Sequence, residues 1–216
     1  MDPEHRLVVS VVIGRHSAEH VQLLVENFHQ RTEGRLMNLM TSDENPAYAP
    51  AILECYGRTV QPRRKGKRGR RPAARKKPPK GLTYATVHKT RENNRVVAVD
   101  RRVIYGTVTA VVAALAASRV SDTVNTAFVE RHNGTDRNRN ARKVRKTYCF
   151  SKDWEVHEAV TYFTLYSYNF CWPVRTLRQG SRRRGYRERT PAMAAGLTDH
   201  VWSLKEWLAF PGAQRK

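Results

Sequence analysis

The sequence predicts an α/β fold with a mixed sheet. "LVVSVVI" at 7–13 and "RLMNLMT" at 35–41 are apolar runs of strand length, the first of them β-branched. Between them Ala18, Val21, Leu24, Val25 and Phe28 recur at helical spacing, with Ser17 placed to cap the first turn. Gly14 ends the first run and Gly34 closes the helix. Strand, helix and strand in so short a stretch form a βαβ unit.

The remaining elements follow in order. The chain opens on a turn signal, Asp2-Pro3-Glu4, and enters the first run at once, so it is expected to start inside a hairpin. Pro50 opens a helix over 50–56, with Gly57 just past its end. "LTYATVHKT" and "RVVAVDRRVIYG" flank "RENN", which predicts a β-hairpin over 82–106. The Ala-rich stretch 107–118 reads as helix, and a further helix starts near Asn125 or Thr126. Another spans 153–170, with Val156, Ala159, Val160, Phe163, Tyr166 and Phe170 along one face, and Pro173 lies just beyond it. A basic loop fills 179–189. Thr190-Pro191 starts a helix, Gly196 stops it, and a second short helix lies near 203–209.

Charge sets the class of partner. The 216 residues hold 40 Lys and Arg against 19 Asp and Glu, a formal net charge of +21. Such a surplus favours polyanions, nucleic acid before anionic membrane. The longest apolar run, 108–118, is about half of the ~20 residues that span a bilayer, so no membrane role is expected. Cys55, Cys149 and Cys171 are scattered and form no CxxC, which argues against a disulfide framework or a zinc site. A reducing compartment, such as the cytoplasm, is expected.

Residues 61–80 are different material: eleven of the twenty are Lys or Arg, and none is acidic or aromatic. Such a block buries nothing and is expected to be disordered alone. It is either a solvated linker or an arm that tracks phosphates through Arg63, Arg64, Lys65, Lys67 and Arg68.

The stretch "NTAFVERHNGTDRNRNARKVRK" at 125–146 places Glu130 on a predicted helix ahead of a basic cluster. Arg137, Arg139, Arg142, Lys143, Arg145 and Lys146 read either as a solvated face or as DNA backbone contacts. His132 stands beside Glu130 and Arg131, where it could meet DNA or remain structural. Asp136 reads as an exposed partner for a nearby Arg. Asp43 follows a predicted strand, and ligands of open α/β sheets bind beyond the carboxyl ends of strands. Two converging carboxylates would suit a pair of Mg²⁺ ions, which clamp the oxygens of an in-line phosphoryl transfer. The bland readings are an Asp that forms a turn and a Glu that is solvated or salt-bridged. Trp154, Trp172, Trp202 and Trp207 are most simply packing residues.

Five blocks, "TSDENPAY", "NTAFVERHNGTDR", "KTYCFSKDWEVHEA", "YSYNFCWPVRTLR" and "TPAMAAGLTDHVWSLKEWL", resemble those of DDE transposases of the insertion-sequence-one type. The resemblance runs through nearly the whole chain. It implies an RNase H-like core that cuts DNA at an element end and joins the freed 3′-OH to target DNA, with Mg²⁺ or Mn²⁺ as cofactor. It makes Asp43 the second catalytic acid and Glu130 the third, both as metal ligands. Asn125, Arg131 and Asn133 share the Glu130 motif, to support the acid or contact DNA. Such enzymes imply element ends and target DNA as partners and a homo-oligomer on DNA. The first catalytic Asp of the family precedes a turn like that at Asp2, and this chain starts at that turn. The expectation is a truncated copy, with the first strand of the sheet missing and an exposed strand edge at 7–13. The alternative is a basic protein that binds DNA or RNA without catalysis. The expected organisation is a first part of the core at 1–60, a basic flexible insertion at 61–81 and an inserted hairpin at 82–106. The second part of the core with the Glu130 helix occupies 107–178, and a basic loop with a helical tail occupies 179–216.

Overall fold

The computed structural model describes residues 1–62, 72–144 and 146–210. They form a mixed α/β chain of two compact units: Gly14–Thr126, and Met1–Ile13 together with Ala127–Lys216.

The first of these, the sheet unit, begins with α1 (Ala18–Arg31), which Ser17 caps by accepting from the His20 N–H. It continues through β1 (Met40–Asp43) to α2 (Tyr48–Tyr56). Then come β2 (Arg58–Val60), β3 (Arg75–Lys77), β4 (Tyr84–Glu92), β5 (Arg95–Tyr105) and α3 (Val108–Ala116). The main sheet has the order β1-β4-β5. β1 runs parallel to β4, with Asp43 opposite Val87, and β4 runs antiparallel to β5. Its middle strand is therefore one arm of the hairpin. Tyr84, Ala85, Thr86 and Val87 are all buried, because both faces are covered. Tyr84 packs with Val21, Val25, Ile52 and Tyr56 from α1 and α2. Ala85 and Val87 pack with Val111 of α3 and with Val124.

At the far end of the hairpin Asn93 and Asn94 both have positive φ, 48° and 63°. That is the backbone of a two-residue turn matched to strand twist, and Asn tolerates it better than most residues. Gly57 stands where it does for a different reason. A Cβ there would lie 2.2 Å from the Leu53 carbonyl oxygen, which accepts from the Gly57 N–H.

The helical unit holds α4 (Ala127–Arg139), a 3-10 turn (Ala141–Lys143) and α5 (Trp154–Cys171). A second 3-10 turn (Arg175–Leu177) leads to β6 (Gln179–Ser181) and β7 (Gly185–Arg187), a small hairpin. α6 (Pro191–Ala194) starts with Pro behind the Thr190 cap, and α7 (Leu204–Ala209) starts with a capping box of Ser203 and Glu206. Trp207 meets Phe163 edge-on at 5.3 Å, and Trp202 lies 4.9 Å from Phe170, which seats the tail on α5.

Several expectations need correction. Residues 7–13 form no strand; there is only an isolated bridge between Asp2 and Leu7. A β-branched run favours extended backbone, but a strand also needs a neighbour. Here the Asn169 side chain takes that part for one residue: its Oδ1 accepts from the Val8 N–H and its Nδ2 donates to the Val8 carbonyl, both at 2.9 Å. The strand expected at 35–41 lies at Met40–Asp43 instead, where β4 supplies the pairing. The hairpin expected as an insertion forms most of the main sheet. The basic block is not uniformly structureless, since Arg75–Lys77 pairs with Arg58–Val60. On α5 the buried residues are Thr161, Leu165, Ser167, Tyr168 and Asn169, not the expected apolar stripe, and Val156 is exposed. Trp154 and Trp172 are also exposed rather than packed in a core.

Candidate functional site

Asp43 ends β1 at the carboxyl end of the parallel pair β1–β4, and its side chain is exposed. Its Oδ1 accepts from the Asn45 N–H at 3.4 Å, so it also shapes the turn into α2. Two neighbours were not singled out from sequence. Glu44 follows Asp43 directly, and its Oε2 lies against Nδ1 of His88, the residue after Val87 on β4. The parallel register, with Asp43 opposite Val87, brings Glu44 and His88 together. The "SDEN" motif carried a signal for Glu44; nothing in the sequence signalled His88.

Glu130 belongs to the other unit. It lies in the first turn of α4 and is exposed. Asn133 and Arg137 follow at helical spacing on the same side, and both are exposed, as is Arg131. The α4 surface therefore displays an acid, amides and cations to solvent. Arg142 and Lys146 are exposed beyond the helix. Arg63, Arg64, Lys65, Lys67, Arg68 and Arg145 lie outside the described residues.

Three expected DNA contacts are engaged within the helical unit. Arg139 lies over the Trp172 ring at 4.1 Å and the Tyr168 ring at 5.3 Å. Lys143 Nζ lies 2.6 Å from Asp136 Oδ2. Asp136 is itself buried rather than exposed, and Thr164 Oγ1 donates to its other oxygen at 3.4 Å. His132 is 9% exposed and packs on Tyr168 with ring centroids 4.7 Å apart, so it is not displayed to DNA. Among the described residues, neither of its ring nitrogens has a hydrogen-bond partner.

Burial lowers the His132 pKa from its ordinary value. The Asp136 carboxylate opposes that shift, while the Met1 amino group, Arg139 and Lys143 add to it. The folded chain thus disfavours His132 protonation more than the unfolded chain does. Its stability contribution is complete above the unfolded His value of about 6.5 and is lost as pH falls through the lower folded value. His132→Phe is expected to remove that acid-side loss. At pH 7.5 it should be neutral or stabilising by about 1 kcal/mol, since no hydrogen bond is given up. Urea midpoints of both proteins between pH 5 and 7.5 measure this.

No family model matches the chain, and no curated protein or solved structure shows significant similarity to it. The functional reading therefore stands on the residues and on the resemblance of the sequence blocks.

Among the described residues, no three His, Cys, Asp or Glu side chains group so as to hold a metal ion. Each unit presents one of the two expected carboxylate ligands. Mg²⁺ is commonly held by one or two carboxylates together with substrate phosphates. A preassembled two-metal clamp needs more than either unit shows. Among the described residues, no helix is long and apolar enough to cross a membrane.

Proposed function

We propose that this chain acts on DNA as an RNase H-like core of a DDE-type transposase, supporting strand cleavage and transfer for an insertion sequence. The observation that carries the reading is Asp43 at the carboxyl end of the parallel β1–β4 pair, where open α/β sheets bind their ligands. The exposed row of Glu130, Asn133 and Arg137 on α4 supports it, as does the net charge of +21. In this reading Asp43 and Glu130 hold Mg²⁺ or Mn²⁺ against the scissile phosphate, while Arg131, Arg137 and Arg142 contact the DNA backbone. A homo-oligomer assembled on DNA, inside the cytoplasm, belongs to the same proposal.

A second reading is a basic nucleic-acid-binding protein without catalysis. The net charge of +21, which by itself calls for no catalytic acids, supports it. One experiment separates the two: incubation of the 216-residue chain with end-labelled duplex DNA and Mg²⁺ or Mn²⁺. The transposase reading expects nicking that Glu130→Gln and Asp43→Asn each abolish, with duplex affinity retained. Binding without nicking under either metal would leave the second reading.

A further inference from the structure

Beyond the duplex contacts assigned to α4, the helical unit carries an aromatic groove with a cationic rim. It lies between the 3-10 turn after α4 and the start of α5, with a volume of about 530 Å³. That is within the range of about 300–1,000 Å³ usual for small-ligand sites. Arg142, Tyr148, Phe150, Lys152, Asp153 and Val156 line it. Its rings are not packing residues: Tyr148 is 99% exposed and Phe150 is 55% exposed. Trp154, on the first turn of α5, is 57% exposed and stacks on His157 at 5.6 Å. Asp153, the acid in the lining, is occupied as the α5 N-cap, accepting from the Val156 N–H at 2.9 Å.

Exposed rings flanked by cations have a specific use. Bases of an unpaired strand stack on the rings, while Lys and Arg follow the phosphates. A paired base has its faces covered by its neighbours and offers nothing to such rings. A protein groove would more often bring aromatics with few charges at its centre, whereas this one flanks Tyr148 and Phe150 with Arg142 and Lys152.

We infer that this groove binds single-stranded DNA, with Tyr148 and Phe150 as stacking platforms and Arg142 and Lys152 as phosphate contacts. The inference rests on the DNA reading above and adds a strand-specific site to it. A strand opened at a cleavage position would be its source.

The test compares the full chain with a Tyr148→Ser, Phe150→Ser double variant, using labelled dT20, U20 and a 20-base-pair duplex at one salt concentration. Because both rings are exposed, the urea midpoint should not change. The expected result is a loss of tenfold or more in dT20 affinity, in keeping with the known cost of removing a stacked aromatic. Duplex affinity should stay within about twofold. Unchanged dT20 binding overturns the inference. So do an equal loss on dT20 and duplex, a preference for U20 over dT20, or a change in oligomeric mass with dT20 binding intact. If the unaltered chain binds duplex DNA but not dT20, only the groove assignment fails. If it binds neither, the DNA reading fails with it.

Discussion

Lys143→Met is expected to lower the stability of the chain by about 2–4 kcal/mol, close to the cost of breaking a buried ion pair from one side. Asp136 is 8% exposed, and Lys143 Nζ at 2.6 Å is its charge partner. Removing the ammonium leaves a carboxylate enclosed by α4 and α5, with the Thr164 hydroxyl as its remaining side-chain donor among the described residues. The loss should be largely recovered in the Lys143→Met, Asp136→Asn double variant, because the amide carries no charge to desolvate. A double-mutant cycle on urea midpoints reads the coupling directly. A single variant within about 0.5 kcal/mol of the parent, the usual range for surface substitutions, would mean the pair is solvated. Duplex affinity should show no change in salt dependence, since Lys143 faces an acid and not a phosphate.

Asn169→Leu is the second large effect, expected to cost about 2–5 kcal/mol. The Asn169 amide is 4% exposed and makes both hydrogen bonds to Val8, which is also buried. Leucine leaves the Val8 N–H and C=O without partners, at about 1–3 kcal/mol for each buried group. Asn169→Asp keeps the acceptor but loses the donor and buries a charge, so it should be no better. The same substitution should speed tryptic cleavage after Arg6, because the amide ties the opening segment to α5. Cleavage at the parent rate would show that other contacts hold residues 1–13.

These two predictions fall where the sequence was hardest to read. α1 was legible because Ser17 and the 3-4 spacing agree. The hairpin was legible because "RENN" separates two β-rich runs. The absence of a strand at 7–13 was not legible, since β-branching reports local preference and says nothing of whether a neighbour exists. The α4–α5 contact inverts the usual rule. His132, Asp136 and Asn140 recur at four-residue spacing and are all buried, while apolar Val129 and Val156 are exposed. Polar residues at a core-facing spacing read as a solvated face until their partners, Lys143 and Tyr168, are placed. Of the expected site, Asp43, Glu130, Arg131, Asn133 and Arg137 are all exposed. Single residues could not reveal that His132 and Lys143 belong to internal packing, or that parallel register brings His88 to Glu44.

The central claim is that this chain engages DNA through the outer surface of α4. The most direct measurement is the dissociation constant for a 20-base-pair duplex across a salt series, for the parent and for an Arg131→Ala, Arg137→Ala variant. Each phosphate contact contributes about −0.9 to the slope of log affinity against log salt. A steep negative slope for the parent, made shallower by about 2 in the variant, is the predicted result. A parent slope near zero, or a variant with the parent's slope and affinity, would contradict it.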